Sequence, residues 1–177
     1  MSDSLQEYYL PHAGLKKGVH EFTYELTEKF FSNFEDALIE KCDVQVNVTL
    51  DNRQEPLVIE LDFDGTIWSE CDRCTAPIPL SIHTSQIVYV KYKMDEDWRA
   101  DDDREIIFVA RDDQYLDITS LFYDIIHVSI PVHRVCDKPG ETEYCDKEIV
   151  NILEKKQENK KADPRWEGLN KLKDNLN

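Results

Sequence analysis

Glycine is scarce in this chain, with five among 177 residues. They form no glycine-rich phosphate loop, which argues against a nucleotide-cradling turn. The Gly-x-Ser-x-Gly elbow of serine hydrolases and the His-Glu-x-x-His helix of zinc peptidases are missing as well. His12, His20 and His83 have no nearby acid or cysteine pattern that would pair a nucleophile with its base, and His127 falls in an amphipathic stretch. All four read as structural or solvated histidines. No apolar run approaches the roughly 20 residues that span a bilayer. The opening Met1-Ser2-Asp3-Ser4 lacks the basic flank and apolar stretch of a secretory leader. Together these absences predict a cytoplasmic protein that binds other macromolecules and performs no catalysis of its own.

Positive charge is also short. Twenty-one Lys and Arg face 37 Asp and Glu, giving a net charge of −16, so the average field repels phosphate backbones and anionic headgroups. Nucleic acid, if bound, must meet a local patch, and membranes and DNA are not expected partners. The candidate patch lies between residues 147 and 173, with Lys147, Lys155, Lys156, Lys160, Lys161, Arg165, Lys171 and Lys173 against five acids. The opposite extreme is the segment from Met94 to Glu105, which holds seven acids. It reads as a solvated acidic loop or a contact for a basic partner; Arg99 and Arg104 interrupt it, and it lacks the spacing of a calcium-binding loop.

What the sequence does have is alternation. Val44, Val46, Val48 and Leu50 point one way while Gln45, Asn47 and Thr49 point the other, as a half-buried strand requires. Leu57, Ile59, Leu61, Phe63 and Ile67 keep one parity; Ile78, Leu80 and Ile82 repeat it before a denser run from Ile87 to Val90. Val19 to Leu26 opens the fold as a strand, and Ile106 to Val109 closes the series. Between the strands, Thr27 is placed as the cap of a short helix carrying Phe30, Phe31, Phe34 and Leu38. Asp117 is placed as the N-cap of a helix through Ile130, stopped by Pro131. A further helix is expected from Cys145 to Gln157, and a last one from Pro164 with Trp166, Leu169 and Leu172 on one side. The predicted class is α+β, a mostly antiparallel sheet or open barrel over residues 19 to 110 followed by C-terminal helices. In domain terms, residues 1–153 form the α+β body with the cysteine cluster, and 154–177 a charged linker and C-terminal helix.

Chemistry is concentrated in the cysteines. In a reducing cytoplasm, Cys42, Cys71, Cys74, Cys136 and Cys145 favour thiolate ligands or buried thiols over disulfides. Cys71-x-x-Cys74 falls at the tip of a predicted hairpin, where two sulfurs are presented together. With Cys136 and Cys145 it can make a four-thiolate zinc site, structural in role, with His133 as the alternative ligand. Cys136 and Cys145 form no second knuckle, and Thr75 stands where a zinc knuckle usually has glycine. Two other readings stay open: small core residues with an exposed Cys71 thiol, and a redox pair, although redox chemistry prefers such a pair at a helix N-terminus.

Three features in order resemble one family: Cys71-x-x-Cys74 followed by a strand; an Asp117-led helix running into Pro131-Val132-His133 and a cysteine; and the closing Asp163-Pro164-Arg165-Trp166-x-x-Leu169-x-x-Leu172. From about Val44 to the C-terminus the chain resembles the YceD family of large ribosomal RNA subunit accumulation proteins. The resemblance implies a bacterial or plastid factor without known catalysis, needed for large-subunit ribosomal RNA to accumulate and so for ribosome assembly. It also implies precursor ribosomal RNA or basic large-subunit ribosomal proteins as partners. The reading from a different class is a zinc- or thiol-based redox or stress sensor.

Overall fold

The computed structural model describes residues 3–34, 39, 41–92, 106–136 and 143–158. A 3-10 turn, Asp3–Tyr8, leads into the short strand β1 (Tyr9–Pro11). Then follow β2 (Val19–Thr27), a single-turn helix α1 (Glu28–Phe31), β3 (Cys42–Asp51), β4 (Leu57–Glu70) and β5 (Pro77–Tyr92). β6 (Ile106–Val109), β7 (Tyr115–Asp117), α2 (Thr119–Ser129) and α3 (Lys147–Glu158) complete the order. The class is α+β, as the sequence predicts. β2-β3-β4-β5-β6 form one open sheet with β2 and β6 at its edges, and β1 pairs with β7 in a separate two-stranded ribbon.

The alternation read from the sequence is the alternation of the sheet. Val44, Val46, Val48 and Leu50 are buried, and opposite them on β4 stand Gly65, Phe63, Leu61 and Ile59, on the same face. β5 is one continuous strand of 16 residues, carrying both the Ile78–Ile82 pattern and the denser run after it. Phe122 of α2 reaches the inner face of the sheet, its ring 5.4 Å from Tyr24 and 5.7 Å from Phe63, both edge-on. Such tilted contacts set the positive edge of one ring against the negative face of another. Phe30 and Phe31 of α1 join the same core. The outer face of the meander carries the exposed acids of β2, β3 and β4 together with exposed Val19, Ile87 and Tyr89.

The sheet is mostly antiparallel, as the sequence predicts, with β6 parallel to β5 at one edge. Two expectations are corrected. Asp117 belongs to β7, paired with Tyr9, and the helix begins at Thr119. Its carboxylate still accepts from the N–H and hydroxyl of Thr119, one residue ahead of a normal N-cap. α1 ends at Phe31, and Thr27 makes no capping bond through its hydroxyl. For α3, which runs from Lys147, Asp146 does the capping, accepting from the N–H groups of Glu148 and Ile149. Leu38, the acidic segment from Met94 to Glu105, Lys160, Lys161 and the helix expected from Pro164 lie outside the described residues. No helix among those described is long and apolar enough to cross a membrane.

The chain divides into two compact units, one of residues 1–70 with 77–134 and the other of residues 71–76 with 135–177. The sheet and its core belong to the first.

Candidate metal centre

The second unit joins the β4–β5 hairpin tip, Cys71–Ala76, to the chain after Val135. The tip is a tight turn: Thr75 N–H donates to the Cys71 carbonyl at 2.9 Å, and Cys71 N–H to the Ala76 carbonyl at 2.9 Å. Thr75 adopts φ 57°, the left-handed conformation that glycine takes without penalty. The position that usually carries glycine in a zinc knuckle thus keeps the knuckle's backbone here with a β-branched residue. Its hydroxyl donates back to the Cys74 carbonyl at 2.7 Å.

All four cysteines of the predicted site are buried, and the turn brings their sulfurs together. Cys71 Sγ lies 3.7 Å from Cys136 Sγ, Cys74 Sγ 3.8 Å from Cys136 Sγ, and Cys145 Sγ 4.0 Å from Cys74 Sγ. Four sulfurs bound to one zinc at ~2.3 Å sit about 3.8 Å apart along the edges of a tetrahedron. A disulfide needs ~2.05 Å, and no disulfide joins any cysteine. Among the described residues, the sulfurs of Cys71, Cys74 and Cys136 form the group close enough to hold a metal ion, all within 4.8 Å of one another. The donor set is therefore all sulfur, which suits zinc. His133, the alternative ligand, is exposed. Cys71 is not the exposed thiol of the competing reading; it is 1% exposed.

Backbone N–H groups converge on this cluster. Burial pushes the Cys71 thiol up, but the N–H groups of Cys74, Arg73 and Cys136 together outweigh burial and bring it down to about 6. Cys136 N–H, at 3.4 Å from that sulfur, is one of them. Cys136 itself is pushed up to about 11 by burial, with Arg73 pulling the other way and the neighbouring sulfurs adding to the rise. Arg73 is the residue that sequence reasoning missed. It sits inside Cys71-Asp72-Arg73-Cys74, and its Nη2 donates to the Cys136 carbonyl at 2.9 Å and to the Cys136 sulfur at 3.0 Å. The signal was a cation between two candidate thiolates. Cys42 stands apart: its thiol donates to the Leu26 carbonyl at 3.3 Å, and burial holds it up at about 12, so it is a core thiol.

The family model for the large ribosomal RNA subunit accumulation protein YceD matches residues 59–173, well over half of the chain. The chain belongs to the YceD family. The match begins at residue 59 rather than near Val44 and takes in all four clustered cysteines. The YceD name implies a role in the accumulation of large-subunit ribosomal RNA. Searches among curated proteins and solved structures gave no significant match.

The remaining histidines of this YceD-family chain divide differently from the sequence reading. His83 has an acid beside it after all: its Nδ1 lies 2.6 Å from Asp64 Oδ2 across the β4–β5 pair, both side chains largely exposed. His20 contacts the Lys16 carbonyl, and His127 the Tyr123 carbonyl within α2. His12 is buried, with neither ring nitrogen partnered.

Proposed function

We propose that this protein is a non-enzymatic accessory factor for large-subunit assembly, acting in the cytoplasm by docking basic ribosomal proteins on the outer face of its sheet. The observation that carries this reading is the charge of that face. Exposed Glu21 and Glu25 on β2, Asp43 on β3, and Glu60, Asp62 and Asp64 on β4 share one side of the meander, with Lys91 at its far margin. Ribosomal proteins that coat RNA are basic, and complementary charge steers them to such a surface. The same face repels RNA phosphates, which supports a protein partner ahead of precursor ribosomal RNA for this surface. Family membership supports the assembly pathway in which that docking takes place.

Zinc enters as a structural element held by Cys71, Cys74, Cys136 and Cys145, tying the hairpin tip to the segment from Val135 to Cys145. Four thiolates around Zn²⁺ leave a net charge of about −2, and Arg73 beside Cys136 offsets part of it. The hairpin setting, away from a helix N-terminus, supports ligation over a redox couple.

Cells carrying Glu60→Gln, Asp62→Asn and Asp64→Asn together should lose co-sedimentation of the protein with large-subunit precursors and show a lower large-to-small subunit RNA ratio. Changing Lys155, Lys156, Lys160 and Lys161 to Glu should do little. If the acidic changes leave co-sedimentation intact while the lysine changes abolish it, RNA rather than protein is the partner. If the protein never meets precursors and its loss leaves both subunits unchanged, the sensor reading takes precedence. Elemental analysis of chelator-free protein should give close to one zinc per chain.

A further inference from the structure

At the end of the sheet where β3 turns into β4 and where β5 and β6 finish, a cleft of about 400 Å³ opens within the first unit. Its volume lies in the range of small-ligand sites. Lys17, Arg53 and Arg111 line it, with Glu55 as the acid among the lining residues; Arg53 is held by the Asp51 carboxylate, which leaves Lys17 and Arg111 as the cations offered to a ligand. A concentration of cations is notable on a chain of net charge −16.

His12 is also part of the lining. Hydrogen bonds from His12 N–H and Ala13 N–H to the Gln114 carbonyl fix its backbone beside the start of β7. Its side chain is buried, the residue being 6% exposed, and among the described residues neither Nδ1 nor Nε2 has a hydrogen-bond partner. A buried ring nitrogen without a hydrogen bond carries an uncompensated desolvation cost. A group that fills the cleft and bonds it recovers that cost. Burial lowers the His12 pKa from 6.5, against the opposing field of Asp113. The ring is then neutral at pH 7, with one N–H to donate and one lone pair to accept. Tyr92 forms an aromatic wall, its ring 6.1 Å from that of His12 and 5.6 Å from the Arg111 guanidinium.

The geometry points to a binding site for a phosphate ester of nucleotide size. Its phosphate oxygens meet Lys17 and Arg111, a His12 ring nitrogen bonds the ligand, and a base lies along Tyr92. Side chains supply the donors here, in place of the glycine loop the sequence lacks. The ligand is either a free nucleotide or one unit of a single-stranded RNA, and this site stands independently of the ribosomal-protein docking proposed above.

The test is calorimetric titration of the full chain with three probes: inorganic phosphate, uridine 5′-monophosphate and a 5′-phosphorylated hexauridylate. The monophosphate should bind saturably and more tightly than inorganic phosphate. Lys17→Ala with Arg111→Ala, both at exposed positions, should weaken it about tenfold or more, and His12→Phe should do likewise with an unchanged circular dichroism spectrum. Lys91→Ala, on the outer sheet face, removes one positive charge away from the cleft as a control and should leave binding within about twofold. A hexamer that binds more tightly than the monophosphate assigns the site to RNA, and one that binds no better assigns it to free nucleotides. Absence of saturable binding by all three probes, or equal weakening by Lys91→Ala, overturns the site.

Discussion

Arg73 Nη2 donates to two acceptors on Cys136, its carbonyl oxygen and its sulfur, at 2.9 and 3.0 Å. A guanidinium in this position both orients the Cys136 sulfur and offsets thiolate charge. Removing such a support around a metal site lowers affinity about 10–100-fold. Arg73→Ala should therefore weaken the proposed zinc binding by that factor in competition with a chromophoric chelator, while Arg73→Lys, which keeps the positive charge and the N–H donors on a stem of different reach, should recover part of the loss. Unchanged affinity in Arg73→Ala would remove the charge-balancing role.

Thr75 occupies the left-handed region at φ 57°, where a side chain costs about 1–2 kcal/mol. Thr75→Gly relieves that strain, loses the hydroxyl contact to the Cys74 carbonyl and adds freedom to the unfolded chain. The net expectation is a gain of about 0.5–1 kcal/mol in urea unfolding of the metal-loaded protein. Thr75→Ala keeps the strain without the hydroxyl and should be less stable than the parent.

Gly65 lies at φ 158° in the middle of β4, between Val44 and Ile82. A Cβ there would meet the Asp43 carbonyl oxygen and stand 2.6 Å from Val44 Cα, both backbone atoms that cannot swing aside. Gly65→Ala should cost about 2–5 kcal/mol, combining backbone strain with overpacking. Differential scanning calorimetry would read this as a large fall in Tm, and a change near zero would show that β3 and β4 can part locally.

Burial holds the Tyr8 and Tyr24 hydroxyls and the Cys42 thiol up at about 12, from 10 for the tyrosines and 9 for the cysteine. Folded-state values above the unfolded ones mean stability fully present below pH 9 and lost as the pH rises toward 12. Tyr24→Phe keeps the ring against Phe122 but removes one titrating group, so its stability should fall less steeply over that window. An identical alkaline slope in parent and variant would show that Tyr24 does not titrate with unfolding.

Much of the fold was legible because its pairing is local. The single-parity runs of β3 and β4 are consecutive strands, so burial of one face leaves its mark in the sequence itself. The parallel β6 and the β1–β7 ribbon join residues far apart in the chain, such as Tyr9 and Asp117, and periodicity carries no record of such partners. The same holds for Asp117, whose pairing in β7 moved the helix start to Thr119. Clustering of Cys71, Cys74 and Cys136 was legible from residue type and the hairpin setting. Arg73 and the Asp64–His83 pair were not, because each depends on register across residues 63 and 19 positions apart.

The outer face of the meander has a second consequence, for encounters between identical copies. A sheet face with exposed apolar positions such as Ile87 and Tyr89 offers a surface on which another copy can stack. Here two copies approaching by this face bring Glu60, Asp62 and Asp64 against the same residues, and like charges meeting at short range hold them apart. The barrier weakens as salt screens it over about 8–10 Å. The surface proposed to draw a cationic partner thus disfavours contact with its own kind, and raising the ionic strength should erode both preferences together.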